Sequence, residues 1–191
     1  LCLWHKCSKM GNINVFSGPM RCGKTQKIID EANRQKIAGK KVLVFKPLMD
    51  NRFSDNHLVD RNGNEISAVN IENIDEIKKF DADVYLIDEF QFLQGDIRAI
   101  QELESKGKKF FIAGLNLTTE KKPFGKMGDI LCCADNIQMM TSICEVCKSE
   151  NATYSYCKIE KTGDILVGGD DIYIPVCNQC YNKLVSGEIK L

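Results

Sequence analysis

Phe16-Ser17-Gly18-Pro19-Met20-Arg21-Cys22-Gly23-Lys24-Thr25 decides how the rest of the chain is read. It fits G-x-x-x-x-G-K-[ST], with Gly18, Gly23, Lys24 and Thr25 at the fixed positions. The two glycines let the backbone turn tightly and present N–H groups to phosphate oxygens. Lys24 can reach the terminal phosphates, and Thr25 offers a hydroxyl to Mg²⁺. A helix that starts at such a loop also directs its positive N-terminal dipole at the bound anion. The flanks agree. Ile13-Asn14-Val15-Phe16 reads as a short buried strand, and Thr25 to about Ala38 as a helix with Ile28, Ile29, Ala32 and Ile37 at helical spacing.

Outward from this loop the chain repeats a pattern. Gly39 closes the first helix, Lys41 to Lys46 is a β-rich run, and Pro47 stops it. Asp50-Asn51-Arg52 follows that strand, at the edge of an open α/β sheet where ligands bind. Read without other context, Asp50 and Arg52 equally suit a surface turn with a local ion pair. Arg61-Asn62-Gly63-Asn64 carries a hairpin-turn signal, Glu65 to Val69 suits a short strand, and Asp75 to Phe80 a helix. Ala82 to Ile87 is an apolar strand that ends in Asp88-Glu89. Downstream of a phosphate loop, the first acid suits the Mg²⁺ shell, and the second is placed to take a proton from a nucleophile. A helix over Asp96–Lys106, a strand over Lys108–Gly114, a loop over Leu115–Gly125, a helix over Gly128–Ala134 and a strand over Ile137–Thr141 complete this part. Alternating strands and helices predict an α/β fold: a parallel sheet flanked by helices on both faces.

The composition sets bounds. The 191 residues suffice for one domain with a sizeable core plus a small appendage. The formal net charge is zero, which argues against a nucleic-acid partner, since such binding leaves a basic excess. No apolar run approaches a membrane span, and the first ten residues lack the apolar core of a signal peptide. The expected compartment is the cytoplasm. Met10-Gly11 can serve as a natural start.

Ten cysteines then favour metal ligation over a disulfide framework. Cys144-Glu-Val-Cys147 and Cys177-Asn-Gln-Cys180 are two C-x-x-C knuckles, and four thiolates on two knuckles suit a tetrahedral structural Zn²⁺. Between them the glycine-rich, polar stretch from Thr162 to Asp171 reads as a loop tied at its base by the metal. A redox C-x-x-C would leave the second knuckle unexplained, and a nucleic-acid-binding ribbon would need more lysines than Lys158 and Lys161. Cys2, His5 and Cys7 lack a fourth ligand, and Cys132 and Cys133 follow an apolar pair and read as core thiols.

Together these motifs resemble the type II thymidine kinases over about Asn12 to Leu184. The carriers are Gly18-Pro19-Met20 with Gly23-Lys24-Thr25, Lys46-Pro47 with Asp50-Asn51-Arg52, Ile87 to Phe92, Gly114-Leu115, Lys122-Pro123-Phe124-Gly125, and the knuckles around Gly168-Gly169 and Tyr173. The resemblance implies a RecA-like P-loop domain over 11–141 and a zinc-binding lasso domain over 142–191. It implies that ATP phosphorylates the 5′-hydroxyl of thymidine or deoxyuridine, giving dTMP in pyrimidine salvage. Gly18, Pro19, Met20, Arg21, Cys22, Gly23, Lys24, Thr25, Asp50, Asn51, Arg52, Asp88 and Gln91 would face the nucleotide, with Thr25 and Asp88 toward Mg²⁺ and Glu89 as general base. Met20, Phe92, Leu115, Thr119 and Phe124 would wall the pocket for the base. Asp164, Ile165, Leu166, Val167 and Gly168 would form a lasso over it, and Tyr173 would touch the substrate. A homotetramer inhibited by thymidine triphosphate is implied as well. Three places depart from the family pattern: Asn116-Leu117 for Asp-Gly, Thr119 for a phenylalanine, and Arg21-Cys22 inside the phosphate loop. A P-loop motor ATPase and a zinc-ribbon binding protein are the rival readings. A GTPase is disfavoured by the lack of an N-K-x-D signature.

Overall fold

The structure is a computed structural model that describes residues 11–49, 56–159 and 171–191. Asp50, Asn51, Arg52 and Asp164 to Gly168, all expected at the site, lie outside the described residues, as do Cys2, His5 and Cys7.

In chain order the elements are β1 (Asn12–Ser17), α1 (Lys24–Ile37), β2 (Val42–Pro47), β3 (His57–Val59), β4 (Glu65–Ser67) and β5 (Val69–Ile71). They continue with β6 (Val84–Ile87), α2 (Arg98–Ser105), β7 (Lys109–Gly114), α3 (Met127–Cys133) and β8 (Asn136–Met139), then β9 (Tyr154–Cys157), β10 (Tyr173–Val176) and α4 (Asn178–Val185). Two short 3₁₀ turns, Ile74–Lys79 and Phe90–Phe92, flank β6. The segment expected as one strand from Glu65 to Val69 divides at Ala68. β4 pairs antiparallel with β3 in a small hairpin, and β5 pairs parallel with β2.

Six strands form one parallel sheet in the order β5-β2-β6-β7-β1-β8. Its two central strands, β6 and β7, are buried on both faces apart from Lys109 at the start of β7, as a sheet covered on both sides requires. β6 is buried at every position, and Tyr85, Phe110 and Phe45 stack in a row beneath the sheet. One face packs Ile28, Ile29 and Ala32 of α1, with Leu58 and Ile66 of the hairpin, against Val44, Leu86 and Phe111. The other face packs Ile74, Ile77, Ile100, Leu103, Met127 and Ile130 against Val15, Ile87 and Ile112. The layering expected from the sequence is therefore present.

The reading of Cys132 as a core thiol is corrected. Met127 and Ile130 turn α3 toward the core, which leaves Cys132 on its outer face, exposed; Cys133 is half-buried and accepts a hydrogen bond from Gln101. β8, the outermost strand, is exposed at each of its four positions because it is covered on neither face. No helix among the described residues is long and apolar enough to cross a membrane.

Parallel strands place their carboxyl ends at one edge. β1 delivers the 18–25 loop there, β6 delivers Asp88-Glu89, and β7 delivers Gly114-Leu115. With β7 between β1 and β6, the two motifs face each other across one strand. Beyond β8 a second, smaller apolar cluster begins, built from Cys144, Ala152, Ile174, Val176, Cys177, Cys180 and Leu184.

Candidate active site and metal centre

The glycine-rich loop owes its shape to four neighbours, Met140, Ser142, Glu145 and Ser155. Gly23, at φ 85°, occupies the left-handed region that a glycine enters at little cost, and α1 starts directly after it. Gly18 lies so close to the Met140 carbonyl that a Cβ would collide with it. Arg21 is also left-handed, at φ 60°, although it is not a glycine. Such a residue persists only when its surroundings hold it. They do here: Ser142 Oγ donates to the Arg21 carbonyl at 3.1 Å, and the guanidinium meets Glu145 at 3.1 Å. The preceding amide, Met20 N–H, donates to Ser155 Oγ at 3.1 Å. Ser155 sits on β9, so the loop is held by the sheet and by the C-terminal cluster together.

Lys24 is buried, and its ammonium donates to the carbonyls of Gly18 at 3.2 Å and Pro19 at 2.6 Å. Cys22 Sγ lies 3.5 Å from it. Thr25 Oγ1 donates to Asp88 Oδ2 at 2.8 Å, which joins the phosphate loop to the acid pair. Asp88 is fully enclosed. Burial, then the neighbouring Glu89 charge, pushes its carboxyl up to about 7, against the opposing pull of the Thr25 hydroxyl and Lys24. Ionising it in place is costly without a cation beside it.

The sign of that shift yields a prediction. A carboxyl raised on folding binds its proton more tightly in the native state, so the metal-free protein loses stability as pH rises from about 4 to about 7. Asp88→Asn should flatten the melting temperature over that window. A wild-type profile with no loss there would contradict the buried, raised carboxyl.

Glu89 follows at φ 48°, again left-handed, and opens the Phe90–Phe92 turn. Its carboxylate is half-buried and accepts from Gln91 Nε2 at 2.5 Å. The other end of the same amide, Gln91 Oε1, accepts from the Leu115 N–H at 3.0 Å. Gln91, expected toward the nucleotide, thus bridges Glu89 and the loop after β7. Phe92 and Phe124 meet edge-on with centroids 5.4 Å apart, an arrangement worth about 0.5–1.5 kcal/mol beyond area burial. Leu115 is therefore tied to Gln91 and Phe124 to Phe92, whereas the Met20 backbone is tied to β9 by its bond to Ser155. Thr119 contributes its carbonyl, which accepts from the Tyr181 hydroxyl at 2.6 Å. Tyr173 lies on β10 opposite Cys157, half-buried, with its phenol raised by burial.

Cys144, Cys147, Cys177 and Cys180 bring their sulfurs within 4.8 Å of one another. Tetrahedral Zn²⁺ with bonds of about 2.3 Å separates its ligand sulfurs by roughly 3.8 Å. Cys147 and Cys177 are 3.8 Å apart. The donor set also has the right charge logic. Ser149 hydrogen bonds lower the Cys147 thiol to about 6, while burial and the adjacent thiols push Cys180 up to about 12. Four thiolates this close need a cation to ionise together, and the residues present fit one.

Ser155, Ser142 and Lys121 were not singled out from the sequence. A serine that bonds a loop more than 120 residues away leaves no local signal.

The comparisons with known proteins agree with this geometry. The family described as "Thymidine kinase" matches residues 11–181. A thymidine kinase of Pseudothermotoga lettingae is 31% identical over 92% of this chain and 97% of its own. One of Mycoplasma mobile is 34% identical over 90% and 87%, and one of Choristoneura fumiferana entomopoxvirus is 36% identical over 90% and 97%. With the family matched across the sheet, the phosphate loop, the acid pair and both cysteine knuckles, the chain belongs to the thymidine kinase family.

Proposed function

We propose that this chain transfers the γ-phosphate of ATP to the 5′-hydroxyl of thymidine, giving dTMP for salvage, and accepts deoxyuridine less well. One observation supports this most directly: Thr25, Asp88, Glu89 and Gln91 form a continuous hydrogen-bonded or adjacent series from the phosphate loop to the Leu115 wall. Phosphoryl transfer asks the protein mainly to position groups and neutralise charge. Loop amides from Gly18 to Thr25 and the Lys24 ammonium hold the phosphates. Thr25 and Asp88 are the groups for Mg²⁺, which would offset the cost of ionising Asp88. Asp50, Asn51 and Arg52 complete the nucleotide side.

Glu89 takes the proton of the attacking hydroxyl, and its useful place is fixed by Gln91. The nucleoside base is held among Met20, Phe92, Leu115, Thr119 and Phe124. The 164–168 segment, as the lasso, and Tyr173 close over it. Zn²⁺ on the four cysteines supplies local folding energy and no chemistry. Residues 11–141 act as the ATP-binding unit and 142–191 as the lid-bearing one; the separate apolar cluster around Cys144 and Leu184 supports that division. A cytoplasmic homotetramer restrained by thymidine triphosphate completes the reading.

The test is phosphorylation of each deoxynucleoside with Mg-ATP. An unpaired buried polar group discriminates by about 10⁴-fold, whereas one methyl gives about 10–200-fold. Thymidine should therefore exceed deoxyuridine modestly in kcat/KM. Deoxycytidine and the purines should fall far below both. A purine deoxynucleoside as best substrate would overturn the thymidine assignment and leave a P-loop kinase.

A further inference from the structure

The loop between β7 and α3 folds back on itself: Leu117 bridges Pro123, Thr118 N–H donates to the Lys122 carbonyl at 2.8 Å, and Phe124 N–H to the Asn116 carbonyl at 3.1 Å. Its two bases are Leu115, bonded to Gln91, and Phe124, edge-on to Phe92. Its tip is Lys121, at φ 60° and half-buried. The ammonium of Lys121 stands 4.2 Å from the ring centroids of both Tyr154 and Tyr181. It also donates to the amide oxygens of Asn178 at 2.8 Å and Asn182 at 3.3 Å. Two π-faces and two oxygens on one cation make a cage, and the cage is filled by the chain's own side chain.

The cage walls come from the metal-bearing part. Tyr154 is on β9. Asn178, Tyr181 and Asn182 are on α4, which begins right after Cys177 and carries Cys180 in its first turn. Tyr181 adds a second tie, through its hydroxyl to the Thr119 carbonyl at 2.6 Å. A left-handed lysine at a tip is a costly conformation, and it persists where the surroundings over-determine it.

We infer that Lys121 is a positioning residue for nucleoside binding: by plugging the Tyr154–Tyr181–Asn178–Asn182 cage it locks the 115–124 hairpin to α4 and so holds Leu115 and Phe124 in the pocket wall. This rests on the proposed pocket and adds a second route, besides the lasso, by which the metal module acts on the nucleoside. The ammonium of Lys121 is engaged by Tyr154, Tyr181, Asn178 and Asn182, so its assigned role is positioning. Its charge is used in the cage, and only a cation of suitable reach serves.

Two variants and two readouts test it. Lys121→Met keeps the stem and removes the cation, and Lys121→Arg keeps the cation. In the metal-loaded enzyme, Lys121→Met should raise the thymidine KM about ten-fold, the order expected for losing cation–π and charged hydrogen bonds. It should leave the ATP KM within about two-fold and kcat nearly unchanged, and Lys121→Arg should recover most of the loss. Amide hydrogen exchange, which needs no turnover, should show faster exchange at 115–124 in Lys121→Met and not in Lys121→Arg. Unchanged exchange in Lys121→Met would overturn the latch itself. A loosened hairpin with an unchanged thymidine KM would overturn its link to the pocket, and with it the placement of Leu115 and Phe124 there. Equal weakening of ATP and thymidine would show a general loss of structure and also defeat the proposal.

Discussion

Glu89→Gln should lower kcat for thymidine phosphorylation by about 10²–10⁴-fold, the usual worth of a general base, with ATP affinity changed by less than about two-fold. The substitution is nearly isosteric. Gln91 Nε2 can donate to the new amide oxygen as it does to the carboxylate, so the geometry that ties Glu89 to Leu115 should persist. On the proposed mechanism, what the variant would lose is the ability to accept a proton from the attacking hydroxyl. The Asp88 carboxyl is not a substitute: it is fully buried and engaged by Thr25. Single-turnover phosphate transfer separates the chemical step from product release and is the measurement of choice. Near-normal turnover by the variant would remove Glu89 from that role.

Metal loss should have the next largest effect. Structural zinc contributes folding free energy on the order of 10 kcal/mol in small zinc modules. Among the described residues, the C-terminal cluster fully buries only Ala152, Ile174, Val176 and Leu184 besides Cys144, Cys177 and Cys180, a core far smaller than that of the sheet. Chelation, or Cys144→Ser at its fully buried sulfur, should therefore loosen 148–176 and raise the thymidine KM by more than ten-fold. ATP binding should weaken only a few-fold, through Ser142 and Ser155, because the phosphate groups are held chiefly by β1–α1 itself. Elemental analysis should find one zinc per chain. Fully active protein without metal would end the assignment.

The sheet was legible in the sequence because its signals are local. The Ile13–Phe16 run, the Gly18–Thr25 loop and the apolar strand ending in Asp88-Glu89 each carry their own period and punctuation, and each lies where expected. The four cysteines were legible for the same reason: two knuckles announce a metal wherever the chain brings them together. Other features depend on what the chain meets far away. Ala68 gives no hint that the segment changes sheets there. Cys132 reads as apolar in sequence, but α3 buries Met127 and Ile130, packs Leu131 beside them, and turns that thiol out. Gln91 sits in a recognisable motif, yet its partners Glu89 and Leu115 follow from the meeting of β6 with β7.

The holds on the phosphate loop bear on how the protein is made. Ser142, Glu145 and Ser155, which grip Met20 and Arg21, are translated more than 120 residues after those two. The neighbours of β1 in the sheet are β7 and β8, so even the strand that delivers the loop must wait for later chain. Such distant closures are slow entropic steps. On the ribosome, the shape of the loop is therefore gained in stages: its strand pairs only once β7 and β8 have emerged, and the grips on Met20 and Arg21 close after that.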